Sequence, residues 1–123
     1  MPDDSRESGL VLEVIEDPDG RRIVRLDGAL DLSSTVEVDA ALARAFDDPP
    51  AGVRLDLQDV TFLDSSGLRG VIKALRLAEE RNIAFEIVPG PSAVQRVFRV
   101  TGVADRVTFV SADGSSPLAT SEE

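Results

Sequence analysis

The segment Val60-Thr61-Phe62-Leu63-Asp64-Ser65-Ser66-Gly67-Leu68 changes the hydrophobic period of this chain from that of a strand to that of a helix. Upstream, Val53, Leu55 and Leu57 alternate with Arg54 and Asp56, the two-residue period of a strand. Downstream, Leu68, Val71, Ile72 and Leu75 share one face at helical spacing. Between them Asp64 is suited to the N-cap, where its carboxylate can accept from the backbone N–H groups of the first turn. A strand feeding a capped helix is the repeating unit of an α/β fold.

The rest of the chain extends that pattern. Leu10–Glu16 reads as an apolar strand. The cluster Asp17-Pro18-Asp19-Gly20 is a turn, and Arg21–Asp27 resumes with Ile23, Val24 and Leu26, so the two runs form an antiparallel hairpin. After Gly28, the residues Val38, Ala41, Leu42, Ala45 and Phe46 make an amphipathic stripe. Ser34-Thr35-Val36-Glu37 has the form of a capping box at its start, and Pro49-Pro50 stops it. The second helix ends near Asn82, a residue at home in a C-terminal turn. Ala84–Val88 is the next strand. Gly90-Pro91 opens a third helix with Pro at its first position, Val94, Val97 and Phe98 form its stripe, and Gly102 ends it. Val107–Val110 is a last short extended piece.

The order β-β-α-β-α-β-α-β predicts an α/β single domain over residues 10–110. Its sheet is mixed but mostly parallel, with an N-terminal antiparallel hairpin and helices packed against it. Residues 1–9 read as a disordered lead-in and 111–123 as a flexible tail. Function in such folds sits in the loops at the strand C-termini. On this basis Gly28–Ser33 and Asp64–Gly70 are expected to form one contiguous face.

Composition narrows the function. The 123 residues contain no Cys and no His. The chain therefore lacks a thiolate nucleophile, a Cys-built metal site, and the usual general base and metal ligand. It also lacks Trp and Tyr, so an aromatic platform for stacking bases is not expected. The formal net charge is −10, which repels phosphate backbones and anionic lipid surfaces. Neither nucleic acid nor membrane is an expected partner. No apolar run approaches the roughly 20 residues that span a bilayer, and Met1–Glu7 is polar and charged. The protein is read as a cytoplasmic monomer that binds other proteins, without cofactor or metal and without catalysis of its own.

The chemistry of the central turn suits a switch. Ser65 and Ser66 fall in the first turn of the helix, where hydroxyls and N–H groups face outward. Gly67 and Gly70 reduce the bulk of the turn, which would let another backbone come close. A phosphate on Ser65 adds about −1.5 to −2 charges, and a helix N-terminus tolerates an anion by roughly 0.3–1 kcal/mol. Modification would change the surface without unfolding the domain. A capped helix start with small packing residues is the simpler alternative.

Three stretches together resemble the STAS domain, named for sulfate transporters and anti-sigma factor antagonists. Arg25-Leu26-Asp27-Gly28-Ala29-Leu30-Asp31 is similar to the family's Gly-x-Leu-Asp loop. Leu55-Asp56-Leu57 through Phe62-Leu63-Asp64-Ser65-Ser66-Gly67-Leu68 is similar to its signature. Pro91–Gly102 is similar to its third helix. The resemblance covers roughly residues 10–110 and is strongest for the stand-alone bacterial antagonists. It implies a protein that binds an anti-sigma factor and so frees a sigma factor. That anti-sigma factor is also a serine kinase, and its ATP-dependent phosphorylation of the serine after the Asp, here Ser65, ends binding. A metal-dependent serine phosphatase reverses the step. Gly28, Asp31, Asp64, Ser65, Ser66, Gly67 and Gly70 are the implied partner-binding positions. The first loop carries Ala29 where the family often has Glu, which removes a charge from that surface. The same fold also serves as a subunit of other assemblies, such as a sensory complex or a lipid-transport system.

Other chemistries fit less well. Asp31, Asp56, Asp59 and Asp64 could be imagined as a Mg²⁺ site, but read more simply as solvated loop carboxylates and caps. A response-regulator receiver needs an acidic pair after its first strand and a Lys after its last. Here Asp17 and Asp19 lie in a hairpin turn, and Lys73, the one Lys of the chain, is mid-helix. Neither Gly-x-x-x-x-Gly-Lys nor Gly-x-Gly-x-x-Gly occurs.

Overall fold

A computed structural model describes residues 9–113. The expected lead-in up to residue 8 and the tail from residue 114 lie outside the described residues. Five strands form one sheet in sequential order: β1 (Leu10–Glu16), β2 (Arg21–Leu30), β3 (Gly52–Leu63), β4 (Phe85–Val88) and β5 (Thr108–Phe109). β1 and β2 pair antiparallel, and every later pairing is parallel. Parallel neighbours need crossover connections, and the helices α1 (Thr35–Ala45), α2 (Ser65–Arg81) and α3 (Ser92–Thr101) supply them.

The apolar residues of the three helix stripes meet one face of this sheet. Val38, Leu42, Leu68, Val71, Leu75, Val94 and Phe98 share a single buried cluster with Val24, Leu26, Val53, Leu55, Leu57 and Ile87. Phe46 lies against Phe85 at 5.9 Å, and Phe98 meets Phe109 edge-on at 5.6 Å, the offset arrangements that ring quadrupoles favour.

The opposite face carries charge that the alternation of β3 reads as exposed. Arg54 and Asp56 are 5% and 4% exposed. Arg54 pairs with Glu86 of β4 at 3.2 Å, and Asp56 accepts from Arg25 of β2 at 3.3 Å and from the backbone and side chain of Gln58. Buried charge is tolerated when it is paired and hydrogen-bonded, and the two charged partners, Glu86 and Arg25, come from adjacent strands more than 30 residues away in sequence.

Several boundaries differ from expectation. β2 continues past Asp27 to Leu30, and β3 runs unbroken to Leu63. The registers shift between Arg25 and Asp27 and between Gly28 and Ala29, so bulges absorb the break in alternation at Gln58-Asp59. The expected Ser34–Glu37 capping box does not cap α1 with the Ser34 side chain. The box lies one turn earlier, across the short 3₁₀ turn Leu32–Ser34: the Asp31 carboxylate accepts from Ser33 N–H, and the Ser34 hydroxyl accepts from Asp31 N–H. Pro91 is the N-cap of α3, not its first helical residue, because its ψ of 166° is extended.

Two arginines close the far end of α1. The Arg22 guanidinium donates to the carbonyls of Ala45 and Asp47, just past the last turn of α1, where carbonyls have no intrahelical partner. Arg81 donates to the Phe46 carbonyl and pairs with Asp47. Asn82 takes the left-handed conformation at φ 57°, its N–H bonding back to α2, the αL cap its sequence position predicts.

Candidate functional site at the first turn of α2

The turn between β3 and α2 is built by Asp64. Its Oδ1 accepts from Ser66 N–H at 2.9 Å and from Gly67 N–H at 3.1 Å. Its carbonyl accepts from Leu68 N–H at 2.9 Å. The Ser65 side chain is exposed and Ser66 is half-buried, so Ser65 presents its hydroxyl to solvent from a rigid, capped helix start.

The loop after β2 lies alongside. Leu30 and Leu63 are register partners, and Asp64 N–H reaches the Leu30 carbonyl at 3.4 Å. Gly67 sits directly over Leu30: a Cβ there would fall 2.3 Å from the Leu30 carbonyl oxygen and 2.8 Å from both Leu30 Cγ and Leu63 Cδ1. The expected face thus has its two halves in contact. Asp31 marks the start of the second half, its carboxylate engaged by Ser33 N–H and the Ser33 hydroxyl.

The glycines have a different role from the one their small size suggests. Gly67 and Gly70 are buried, and what approaches them closely is this chain itself. A Cβ on Gly70 would meet Asp39 Oδ1 of α1 at 3.0 Å. Gly28, at φ 123°, would place a Cβ 2.1 Å from the Gly9 carbonyl oxygen, a site where L side chains are strained and blocked. Gly67 and Gly70 let α2 close on Leu30 and on α1, and Gly28 lets β2 close on the start of β1.

Around Ser65 the surface holds three large apolar side chains that sequence reasoning missed. Leu32 is 74% exposed, Val36 81% and Phe62 51%. All three emerge at the end of the sheet where Ser65 lies. The signal was present in part, since each falls off the inward stripe of its own element. Asp59 and Asp27, register partners at the same end, are exposed. The four carboxylates considered as a Mg²⁺ site are separately engaged or dispersed: Asp31 and Asp64 cap turns, Asp56 is buried against Arg25 and Gln58, and Asp59 is on the surface. Among the described residues, no group of three His, Cys, Asp or Glu is placed to hold a metal ion. No described helix is long and apolar enough to cross a membrane.

Comparison with known proteins places this geometry. An anti-sigma factor antagonist from Mycobacterium paratuberculosis has a similar structure: TM-score 0.71, 22% identity, 83% of this chain and 86% of that chain covered. The unphosphorylated anti-sigma factor antagonist SpoIIAA superimposes with TM-score 0.71 at 19% identity, over 84% of this chain and 90% of that one. A sulfate transporter family protein from Wolinella succinogenes gives TM-score 0.67 at 15% identity, over 80% and 91%. At such identities these likenesses speak for the fold. A search of curated protein sequences finds no match. The STAS domain family model matches residues 11–115, a span that includes the Gly28–Asp31 loop, the Asp64–Gly67 turn and α3, and the chain belongs to the STAS domain family.

Proposed function

We propose that this chain is an anti-sigma factor antagonist, bound through the Ser65 end of the domain and released by phosphorylation of Ser65. The observation that carries this reading is the exposed Ser65 hydroxyl on a capped helix start, beside the loop that follows β2. The similarity of its fold to anti-sigma factor antagonists supports it. The docking face comprises Asp31, Asp64, Ser65 and Ser66, with Gly28, Gly67 and Gly70 shaping it from beneath. The partner is an anti-sigma factor with serine kinase activity, and a metal-dependent serine phosphatase restores the free form.

In the transfer step the Ser65 oxygen attacks the γ-phosphorus of ATP held by the kinase. The bond to the leaving ADP oxygen breaks, and the hydroxyl proton passes to a base of the kinase. The chain is substrate and ligand, without catalysis of its own. The added charge of about −1.5 to −2 then stands in the docking face, where one desolvated, unpaired charge costs several kcal/mol. A helix start already closed by Asp64 has no need to unfold in response.

The reading is tested by recovering the partner on the unmodified full chain, adding ATP and mapping the phosphate by peptide mass spectrometry. Phosphate on Ser65 and loss of binding are expected. Phosphate confined to Ser66 or Thr61 refutes the assignment. Recovery of a transporter ATPase or a sensory complex instead of a kinase would favour the alternative role as a STAS subunit of another assembly.

A further inference from the structure

We infer that Arg69 is the side chain that receives a phosphate carried by Ser65, and that modification thereby withdraws Arg69 from the docking face. This rests on the reading of Ser65 as the modified residue. A phosphate at a helix start ordinarily turns onto the free N–H groups of the first turn. Here that place is taken: Asp64 Oδ1 holds Ser66 N–H and Gly67 N–H, and Leu68 N–H bonds the Asp64 carbonyl. Only the N–H of Ser65 itself remains in that turn.

The phosphate must therefore look elsewhere for a cation. Of the two segments that make the face, residues 28–33 contain no Lys or Arg and residues 64–70 contain one, Arg69. Their other charged groups are carboxylates, Asp31 and Asp64. Arg69 lies four residues after Ser65, the spacing that puts two side chains side by side on a helix. It is exposed and forms no ion pair or side-chain hydrogen bond among the described residues. Lys73, one turn further, is held by Asp39 at 2.8 Å. Guanidinium and phosphate form charge-assisted, two-pronged hydrogen bonds, so the pairing is geometrically apt. In the unmodified chain Arg69 is free to meet a carboxylate or carbonyl of the partner. After modification the same side chain is engaged by the phosphate, and the face both gains an anion and loses a cation.

The test uses the full chain with phosphoserine placed at position 65 by genetic encoding, so no kinase is required. Phosphorus NMR follows the second ionisation of the phosphate at low salt. Arg69→Gln should raise that pKa by about 0.2–0.4 of a pH unit or more, with Arg69→Lys falling between. On modification, the Ser66 and Gly67 amide resonances should move little, while the Arg69 side-chain N–H resonance shifts. An unchanged titration in Arg69→Gln overturns the inference, and so does a large displacement of the Ser66 and Gly67 amides. Failure of any cellular kinase to modify Ser65 would sink the switch reading and leave this titration standing.

Discussion

Replacing Gly67 by Ala should destabilise the domain, although alanine is the better helix former. The new Cβ would stand 2.3 Å from the Leu30 carbonyl oxygen, a backbone atom anchored at the end of β2, and 2.8 Å from two leucine carbons. None of these is the end of a flexible polar chain, so α2 or the loop must shift. Inserting a methyl into so tight a place costs about 1–3 kcal/mol, against a helix-propensity gain of about 0.5–1 kcal/mol. The net expectation is a loss of up to about 2.5 kcal/mol, centred on about 1 kcal/mol, which is about 4–8 °C in Tm for a domain of this size. Gly70→Ala is the internal control. Its Cβ would meet only Asp39 Oδ1 at 3.0 Å, the tip of an exposed ion pair that can swing aside, so the variant should be neutral or stabilised by up to about 1 kcal/mol. Urea and thermal unfolding followed by circular dichroism measure both. If Gly67→Ala is as stable as the parent, or if both variants lose stability equally, the packing of α2 over Leu30 is not as described.

Other substitutions separate caps from switch. Ser65→Ala should leave stability within about 0.5 kcal/mol, since exposed positions away from such features tolerate change, and should abolish phosphate incorporation by the partner kinase. Asp64→Ala should cost about 0.5–2 kcal/mol by freeing the Ser66 and Gly67 N–H groups, a difference readable by urea denaturation. Arg22→Met should cost about 1.5–3 kcal/mol, because the carbonyls that close α1 lose a charged donor; a change below 0.5 kcal/mol would show that water replaces the guanidinium freely. Asn82→Gly should be neutral or slightly stabilising, because φ 57° favours a residue without a Cβ, and Asn82→Ala destabilising, because it keeps the Cβ and loses the short polar side chain that lets Asn adopt the left-handed conformation.

What the sequence makes legible here is local. The turn from β3 into α2 can be read because an N-cap carboxylate and the change of period lie within a few residues of each other. Asn82 and Gly102 mark the ends of α2 and α3 for the same reason. Long-range pairing is not written in this way. Arg54 and Asp56 alternate with apolar residues and so resemble a solvent face, yet Glu86 and Arg25 on the neighbouring strands bury them. Nor does a glycine state what fills the space it leaves. Gly67 and Gly70 stand in the turn as if to admit a visitor, and only the placement of Leu30 and Asp39 shows that the space is already occupied. The Ser34–Glu37 pattern failed similarly: Asp31, three residues earlier, competes for the Ser34 hydroxyl and closes the box one turn sooner.

The central claim is that a phosphate on Ser65 governs partner binding, and the most direct measurement compares two forms of the full chain as bait. One is unmodified and the other carries encoded phosphoserine at position 65, and captured proteins are identified by mass spectrometry. The unmodified chain should retain an ATP-binding anti-sigma kinase that the phosphorylated chain does not, while both forms show the same circular dichroism and melting behaviour. Retention of the same kinase by both forms, at equal yield, would contradict the account.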